Sequence, residues 1–296
     1  MVNMKLSIIF PSTEIGTDPG AIREWAQGAE GLGYHQMQLF EHVLGANPAS
    51  YPGLRGYDIN TPFREPFVFL GFMAAITRRI QLATGILVLP QRQTALVAKQ
   101  AAEVDLLTGG RLVLGVGVGS NPFEYEALGE NFHNRGARIE EQVAVLRALW
   151  TKEAVTFEGK WHHIKDLGMR PLPVQRPIPI WMGGGQDDRV LRRIGRMADG
   201  WIPGAAPAEQ SQPQLKIIRD ARREAGRDPA TIALAPRVMA PKQSGPEQWH
   251  AFAEGWRREG AQYMVLNTMR CGFTKVEQHL ELGRQFRDAL KGLVTA

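Results

Sequence analysis

Short apolar runs alternate with longer amphipathic stretches from one end of the chain to the other. Apolar runs of this length are typical of buried β-strands, and the longer stretches repeat their apolar residues at helical spacing. Eight runs are strand candidates: Lys5–Pro11, Met37–His42, Ile80–Leu87, Leu112–Gly117, Ile178–Met182, Gly200–Pro203, Ile232–Met239 and Tyr263–Asn267. Eight stretches are helix candidates: Pro19–Gly31, Pro66–Thr77, Thr94–Leu107, Arg138–Trp150, Asp187–Met197, Gln212–Glu224, Pro246–Arg257 and Lys275–Leu290.

The order of these elements predicts the fold class. Strand and helix candidates alternate without a polar linker, and Asp18 before Pro19 and the pair Gly109-Gly110 supply helix start and stop signals. Eight strand–helix units favour an α/β fold of the (β/α)8 TIM-barrel type over a doubly wound sheet. We therefore expect one barrel domain over residues 1–296.

Two segments interrupt the alternation. Residues 45–65, after the second strand, are rich in Gly, Pro and Asn, and a loop of that length is usually a lid or a binding loop. Residues 154–174, before the fifth strand, alternate around Glu158-Gly159 and predict an inserted β-hairpin. We expect His162 and His163 in this hairpin to be exposed polar residues, because neighbouring side chains on a strand diverge and no third ligand is spaced to complete a metal site.

Composition narrows the classes of function. The single cysteine, Cys271, excludes an intrachain disulfide framework and favours a reducing cytoplasm. The net charge is +5, but the arginines are interspersed with acids, so we expect no nucleic-acid binding and a modest preference for anionic small ligands. The apolar run Leu6–Phe10 is too short for a signal peptide, and no later segment approaches the ~18 apolar residues of a membrane span.

Barrel enzymes place their chemistry at the carboxyl ends of the strands. The second strand ends in Glu41-His42 and the third in Thr84-Gly85-Ile86. His42 stands out because it can exchange a proton near neutral pH, although a histidine satisfied by a backbone carbonyl fits the same position. Paired carboxylates for sugar hydrolysis are unsupported, since Glu41 is the one acid among the strand ends.

Glycine recurs close to two other strand ends. Gly115, Gly117 and Gly119 alternate along the end of the fourth strand, where glycine weakens a strand and suggests that something approaches the backbone closely. The fingerprint G-x-G-x-x-G fails, because Ser120 stands at its last position. The glycines at 183–185 could cradle a phosphate at a helix start, or could make a tight turn before a helix whose dipole the following acids complement.

Four motifs together resemble the luciferase-like monooxygenase superfamily. They are "LATGILVLPQRQTALVAKQAAEVDLLTGGRLVLGVGVGSNPFEYEALG" at Leu82–Gly129, "VLRALW" at Val145–Trp150, "VTFEGKW" at Val155–Trp161 and "PIWMGGG" at Pro179–Gly185. The closest subgroup is the one that uses the deazaflavin F420, and sister groups with nearly the same motifs use flavin mononucleotide (FMN). The family fold is a (β/α)8 barrel with an insertion, which agrees with the independent count of units.

The resemblance implies roles for the strand ends. Gly117 and Gly119 would let the fourth strand pass close under the cofactor ring, Gly85-Ile86 would be a non-proline cis peptide, and His42 would be catalytic. The implied cofactor-binding residues are Glu41, Thr84, Gly85, Ile86, Gly117, Gly119, Ser120, Asn121, Gly183, Gly184 and Gly185. Many relatives have a tryptophan where this chain has Ser120, which implies a smaller or wetter pocket floor, or a different substrate.

The implied function is redox chemistry on a small molecule. With F420, the enzyme would transfer a hydride to or from a small organic substrate while His42 exchanges the companion proton. With FMN, it would be a two-component monooxygenase that inserts one oxygen atom from O2 and takes reduced flavin from a separate reductase. A non-catalytic flavin-binding protein would need the glycines but not His42. A non-redox barrel enzyme is disfavoured, because the strand ends lack metal ligands and an acid–base pair.

The resemblance also implies a homodimer. The second and third helices carry apolar residues that could form its interface, although packing towards the barrel explains most of them. They are Phe67, Phe69, Leu70, Phe72, Leu96 and Val97.

Overall fold

The alternating elements fold, in the computed structural model, into parallel strands that curl around a central core with helices outside. The structure describes residues 3–53, 56–185, 187–243 and 245–295. The strands are β1 (Lys5–Ile9), β2 (Gln36–Leu39), β3 (Gln81–Thr84), β4 (Leu87–Val88), β5 (Leu112–Gly117), β6 (Val155–Glu158), β7 (His163–Leu167), β8 (Ile180–Gly183), β9 (Gly200–Ile202), β10 (Ala233–Leu234), β11 (Arg237–Met239) and β12 (Tyr263–Asn267). The α-helices are α1 (Pro19–Gly31), α2 (Pro66–Ile76), α3 (Thr94–Thr108), α4 (Pro122–Ala127), α5 (Arg135–Thr151), α6 (Asp188–Met197), α7 (Ala208–Glu224), α8 (Pro246–Arg258) and α9 (Val276–Ala289).

The seventh strand position closes the sheet. The strand order is β10-β9-β8-β5-β3-β2-β1-β12-β11, and β4 also pairs with β5. Between β10, on one edge, and β11, on the other, lie Ala235 and Pro236. The Ala235 N–H donates to the Trp201 carbonyl (3.1 Å), and the Pro236 carbonyl accepts from the Val265 N–H (2.9 Å). One continuous segment therefore joins the two edges, and the predicted (β/α)8 barrel is confirmed.

Two of the predicted strands are each divided in two. The predicted seventh strand contains Pro236, which has no N–H to donate, and it appears as β10 and β11. The predicted third strand appears as β3 and β4, with the peptide between Gly85 and Ile86 in the cis form. By contrast, β5 and β12 have the predicted bounds.

Alternate residues of the strands face different cores. Ile9, Val113 and Val265 belong to a cluster that fills the barrel, whereas Ile8 belongs to the larger cluster between sheet and helices. This alternation follows from the two-residue period of a strand. Phe40 and Ile86, which follow β2 and β3, pack against this barrel cluster and lie at the base of the candidate site described below.

Both predicted insertions are present. Residues 40–65, of which 54 and 55 lie outside the described ranges, connect β2 to α2, and the predicted hairpin within residues 154–174 forms from β6 and β7. The expectation that both hairpin histidines are exposed is wrong for His162, whose side chain is 13% exposed against 63% for His163. His162 Nδ1 lies 2.7 Å from a Glu141 oxygen, and its Nε2 lies 2.6 Å from the Thr94 hydroxyl, so it ties the hairpin to α5 and α3.

The helices depart from the prediction mainly at their beginnings. α5 begins at Arg135 and α7 at Ala208, a few residues before the predicted starts, and α4 was not predicted. Of the apolar residues considered for a dimer interface, Phe67, Phe69 and Val97 are buried in the chain's own core, whereas Leu96 is exposed. No helix within the described ranges is long and apolar enough to cross a membrane.

Candidate active site

Several of the predicted site residues line cavities at the carboxyl ends of the strands. Gly85, Ile86 and Gly183–Gly185 line a cavity of about 550 Å³, the glycine cavity. His42 and Asn121 line another of about 320 Å³, the histidine cavity, whose opposite wall comes largely from residues 57–63 of the long loop. Glu41 and His42 also line a space of about 360 Å³ beside Arg92. The structure therefore gathers the predicted residues at one end of the barrel but divides them among separate spaces.

His42 follows the end of β2 and is held by one ring nitrogen. Its Nδ1 lies 3.2 Å from Oε2 of Glu124. The Asn121 amide nitrogen lies 3.5 Å from the same Nδ1 of His42. A carboxylate only accepts hydrogen bonds, so Nδ1 carries the proton. Nε2 has no hydrogen-bond partner among the described residues, which leaves it able to accept or release a proton.

Glu124 is a buried carboxylate that also fixes the backbone after His42. Its side chain is 1% exposed, and its Oε1 accepts the N–H groups of Val43 (2.6 Å) and Leu44 (3.2 Å). Burial acts to raise the pKa of Glu124, but the hydrogen bonds from His42 and the two backbone N–H groups together bring this pKa below its ordinary value. Glu124 is therefore ionised at neutral pH and sets both the orientation and the tautomer of the ring.

Aromatic side chains of the long loop enclose His42. The rings of Tyr57 and Phe63 lie 5.7 Å and 5.0 Å from the imidazole, centroid to centroid, and pack edge to face against each other. Tyr51 packs against Phe123 of α4 at 5.2 Å, which docks the outer part of the loop. The loop therefore covers His42 and limits the access of water to it.

The Glu41 carboxylate is bound by protein groups. One oxygen accepts the Val88 N–H (2.5 Å) and the other accepts from the Arg92 guanidinium (2.5 Å). Burial raises the pKa of Glu41, while Arg92 and the Val88 N–H oppose the rise by stabilising the charged form. Arg92 also binds Glu65 at 3.0 Å. Glu41 thus braces the connection from β4 to α3, and its contact with a cofactor stays a prediction.

The glycine row of β5 packs against the neighbouring strand. A Cβ added at any of its three positions would collide with the segment from Thr84 to Val88. The closest atoms would be the Thr84 carbonyl oxygen at 2.0 Å from Gly115, Ile86 Cδ1 at 2.7 Å from Gly117 and Val88 Cγ1 at 2.7 Å from Gly119. The close approach that the alternation predicts is confirmed, and the approaching group is protein.

Ile86 presents the surface that the glycine cavity rests on. The Gly85-Ile86 peptide is cis, as the resemblance implies. The Ile86 side chain lies between Gly117 and Gly183, where an added Cβ would be 2.7 Å and 3.0 Å from it. It is half-buried and packs against the barrel cluster, so the rest of its surface is available to a ligand.

The turn at Gly183–Gly185 is shaped by Trp201. The indole N–H donates to the Gly184 carbonyl (2.7 Å), and Gly184 has a φ of +125°, which favours glycine. A trans peptide holds its C=O and N–H on opposite sides, so the Gly185 N–H points away from the indole. The turn therefore both packs on the barrel and keeps a backbone donor on its other side.

A positively charged cleft of about 540 Å³ lies beside this turn, between the beginnings of α5 and α6, and is named the outer cleft. Its charged residues are Arg135, Arg189, Arg192, Arg193, Arg196, Glu140 and Asp187. The side-chain bond from Arg189 holds the pKa of Asp187 down at about 2, so this acid is ionised but paired. Arginines outnumber acids in the lining, which favours an anionic occupant.

Three further predicted residues are spread over the same end of the barrel. Thr84 is fully buried and donates its hydroxyl to the Gly115 carbonyl (2.6 Å). Ser120 is exposed, and Asn121 precedes α4 beside the histidine cavity. Their contacts with a cofactor stay predictions.

Sequence reasoning missed the role of Glu124. Its position behind Asn121-Pro122 has the spacing of a helix capping box, which offers a purely local role. In the structure, Asn121 makes no side-chain capping bond, and Glu124 instead binds residues 80 to 82 positions earlier in the chain. No local pattern reveals a contact across that separation.

Arg237 is the second residue whose role was missed. The sequence places it near the end of the seventh strand, and the structure shows it lining the glycine cavity as the first residue of β11. Its guanidinium carbon lies 4.7 Å from the centre of the Phe40 ring. Burial lowers the pKa of Arg237 to about 10, so it remains positively charged at neutral pH.

The sequence and fold both match known proteins. A model of the luciferase-like monooxygenase family matches residues 4–280. An uncharacterized protein of Mycobacterium tuberculosis is 36% identical over 224 residues, which cover 74% of this chain and 77% of that protein. An F420-dependent glucose-6-phosphate dehydrogenase of Kineococcus radiotolerans is 31% identical over 236 residues, which cover 78% of this chain and 66% of that protein.

Among solved structures, an F420-dependent secondary alcohol dehydrogenase in complex with an F420-acetone adduct is similar to the whole barrel. Its TM-score is 0.76 at 18% identity, with 98% of this chain and 100% of that chain covered. At this identity the likeness shows the fold alone.

Proposed function

The chain belongs to the luciferase-like monooxygenase family, and within it we propose that the protein is an F420-dependent oxidoreductase that transfers a hydride to or from a small organic substrate. The observation that carries the proposal is the His42–Glu124 pair, which leaves Nε2 of the ring without a hydrogen-bond partner in the part of the chain that the structure describes. The F420-dependent relative at 31% identity supports this choice of cofactor.

The glycine cavity suits a planar ring that carries an anionic side chain. Its volume of about 550 Å³ lies within the ordinary range of cofactor and ligand sites. A Cβ on Gly183 would lie 3.0 Å from Ile86, so this part of the wall leaves no room for a side chain. We propose that Gly85 and Ile86 support the ring, that Gly183–Gly185 bind the phosphate and that the outer cleft holds the anionic end. When bound, F420 supplies the carbon that accepts or releases the hydride.

The other predicted residues fit this proposal in different ways. Ser120 and Asn121 stand at the mouth, and we propose that they contact the cofactor directly. Glu41 and Thr84 use their side chains in bonds within the protein, so they are proposed to contribute through the backbone. The proposed role of the β5 glycines is to make room for the segment that bears Ile86.

His42 is the proposed catalytic residue. Its Nε2 gives a proton to the substrate oxygen, or takes one from it, as the adjacent carbon gains or loses the hydride. Glu124 stabilises the imidazolium that exists while Nε2 holds its proton, and Tyr57 and Phe63 limit competing contact with water. General acid–base catalysis of this kind contributes a factor of about 10² to 10⁴ in rate.

An FMN-dependent monooxygenase that inserts one oxygen atom from O2 is the second candidate. The family that matches this chain takes its name from such enzymes. FMN also joins a planar ring to a phosphate, so the glycine cavity fits both cofactors, and this function would require a separate reductase. A non-catalytic flavin-binding protein is the third candidate, and it would have no use for the His42–Glu124 pair.

Binding of the two cofactors to the apoprotein tests the proposal. Fluorescence quenching of oxidised F420 and of FMN is measured separately, and both titrations are repeated with the reduced forms. Tight binding of F420 alone is the expected result. A preference for reduced FMN would instead establish the two-component monooxygenase, and binding of neither would overturn the cofactor assignment of the glycine cavity.

Replacement of His42 separates an enzyme from a binding protein. His42→Asn is expected to keep cofactor affinity and to lose about 10²-fold or more in turnover of small alcohols with F420, or of unsaturated carbonyl compounds with reduced F420. His250→Asn, on the exposed face of α8, is the matched control. Full activity in His42→Asn would remove His42 from the mechanism.

A homodimer is proposed on the outer faces of α2 and α3. Val68 is 75% exposed and Leu96 is 53% exposed there, and the family resemblance supports this assembly. Light scattering on the purified protein measures the state directly, and Leu96→Glu is expected to shift it towards the monomer.

A further inference from the structure

We propose that Arg237 binds an anionic group of the substrate, a carboxylate or a phosphate, inside the glycine cavity. Anionic substrates are thereby the class proposed for the hydride transfer, and this assignment rests on the proposed function. The anion-binding site itself is inferred from the geometry around Arg237.

Arg237 is a half-buried cation whose side chain has no hydrogen-bond partner among the described residues. The described residues include no hydrogen-bond acceptor and no acidic partner for its side chain, and its Nε is enclosed without a partner. The accessible part of the residue lines the glycine cavity. Arg222 is the contrast, because it is 3% exposed and donates to the Asp228 carbonyl, the Ala198 carbonyl and the Thr231 hydroxyl.

The surroundings of Arg237 keep it charged and planar. Phe40 lies under the guanidinium at 4.7 Å, a distance at which an aromatic face attracts a cation. Burial lowers the pKa of Arg237 to about 10, and the nearby Tyr57 partly offsets this effect. A flat guanidinium fixed over a ring and open on its donor edge matches the two oxygens of a carboxylate or phosphate.

The position of Arg237 assigns the anion to the substrate. The Gly183–Gly185 turn and the outer cleft provide the donors and the positive charge that the cofactor's own phosphate needs. Phe40, beneath Arg237, instead packs against the cluster that fills the barrel, so Arg237 stands near the barrel axis. Arg237 is the one charged residue in the described lining of the glycine cavity, whose walls also include Ile86 and Ile202, and one anchored anion would orient a small substrate there.

The test compares simple anions with a neutral analogue. Benzoate, inorganic phosphate and benzamide are titrated into the protein, with and without bound cofactor, and Trp201 in the cavity wall serves as a fluorescent reporter. Benzoate or phosphate is expected to bind the wild type and to bind Arg237→Gln at least about tenfold more weakly, since a bidentate charged bond is lost. Benzamide should respond equally weakly in both. Arg23→Gln, on the exposed face of α1, removes the same charge elsewhere and should match the wild type.

Stability measurements distinguish a binding residue from a structural one. Arg237→Met removes a half-buried charge that has no partner among the described residues, and it is expected to leave the melting temperature unchanged or higher. A lower melting temperature in this variant, together with wild-type anion affinity in Arg237→Lys and Arg237→Gln, would overturn the proposal. Competition between phosphate and F420 that disappears in Arg237→Gln would instead assign the anion to the cofactor and would also overturn it. Because the anion titrations use the apoprotein as well, they give an answer even if F420 does not bind.

Discussion

Replacing Glu124 by glutamine tests whether the tautomer of His42 controls the reaction. The variant keeps an oxygen that can accept the N–H groups of Val43 and Leu44, which Glu124 now accepts at 2.6 Å and 3.2 Å. At the other oxygen, 3.2 Å from His42 Nδ1, glutamine presents an NH2 group. A donor opposite a donor is unfavourable, so the ring is expected to move its proton to Nε2 and to lose its anionic partner.

Two magnitudes follow from these contacts. Hydrogen bonds to a charged group contribute about 1.5–3 kcal/mol each, and glutamine keeps the two backbone bonds in weaker form, so we expect a loss of about 1–3 kcal/mol in unfolding free energy. A misdirected ring nitrogen removes most of the acid–base contribution, so turnover should fall by about 10² to 10⁴. Cofactor affinity should change little, because Glu124 lines neither the glycine cavity nor the outer cleft.

The assay combines urea unfolding, F420 turnover and nitrogen-detected NMR of the imidazole. Glu141→Gln is the control, since Glu141 also binds a histidine Nδ1, that of His162 (2.7 Å), and accepts three backbone N–H groups, but in the contact between the hairpin and α5. Both variants should lose similar stability, and only Glu124→Gln should lose turnover and switch the His42 tautomer. A switched tautomer with unchanged turnover would refute the reasoning.

Two other regions of the chain give separate predictions. Burial lowers the pKa of His279 from 6.5 to about 4, so only the unfolded chain binds a proton between these values, and stability should fall by on the order of 3 kcal/mol as the pH drops from 6.5 to 4. His279→Gln should flatten this profile in urea midpoints measured against pH, whereas His250→Gln should not. Because arginines line the outer cleft, the affinity for F420 is expected to fall several-fold as the salt concentration rises from about 50 to 300 mM. Arg189→Gln should reduce that salt dependence and Arg23→Gln should preserve it. An equal dependence of F420 affinity on salt in the wild type and both variants would mean that the anionic end of F420 binds outside this cleft.

The regular strands and helices could be predicted from the sequence because local sequence patterns determine them. A strand buried on both faces reads as an apolar run, and the bounds of β5 and β12 follow from that alone. Pro236 marked the division of the seventh strand in the sequence itself, since proline has no N–H for a ladder. The cis peptide before Ile86 leaves no mark in hydrophobic periodicity, and the prediction of its place came from resemblance.

The site was readable only where a residue's position on a strand decides its role. His42 stands at a strand end and could therefore be predicted as a site residue, whereas the partner that orients it, Glu124, lies 82 residues further along the chain. The role proposed for Arg237 depends on the lack of a hydrogen-bond partner among the described residues, and the sequence does not reveal such a lack. Long-range pairing and its absence are properties of the folded chain.

The alternating glycines at the end of β5 are approached closely by protein atoms of the neighbouring strand. The alternation at the end of β5 predicts a close approach, and the approaching atoms include Ile86 Cδ1 and Cγ1, at 2.7 Å and 2.9 Å from a Cβ on Gly117. If Gly117 acts by making room for Ile86, then Gly117→Ala should displace that side chain, weaken cofactor binding and lower the unfolding free energy by about 1–3 kcal/mol. Ile86→Ala removes the colliding atoms, so the double variant should bind cofactor better than Gly117→Ala alone.

A double-mutant cycle on cofactor affinity and unfolding free energy measures this coupling. Additive losses would mean that Gly117 is needed for direct approach of the ring, as the resemblance implies. A rescue by Ile86→Ala would mean that Gly117 affects cofactor binding indirectly. Its role would then be to leave space for the Ile86 side chain at the floor of the glycine cavity. The collision distances at Gly117 and Gly183 converge on the same isoleucine, and this convergence is the reason to expect rescue.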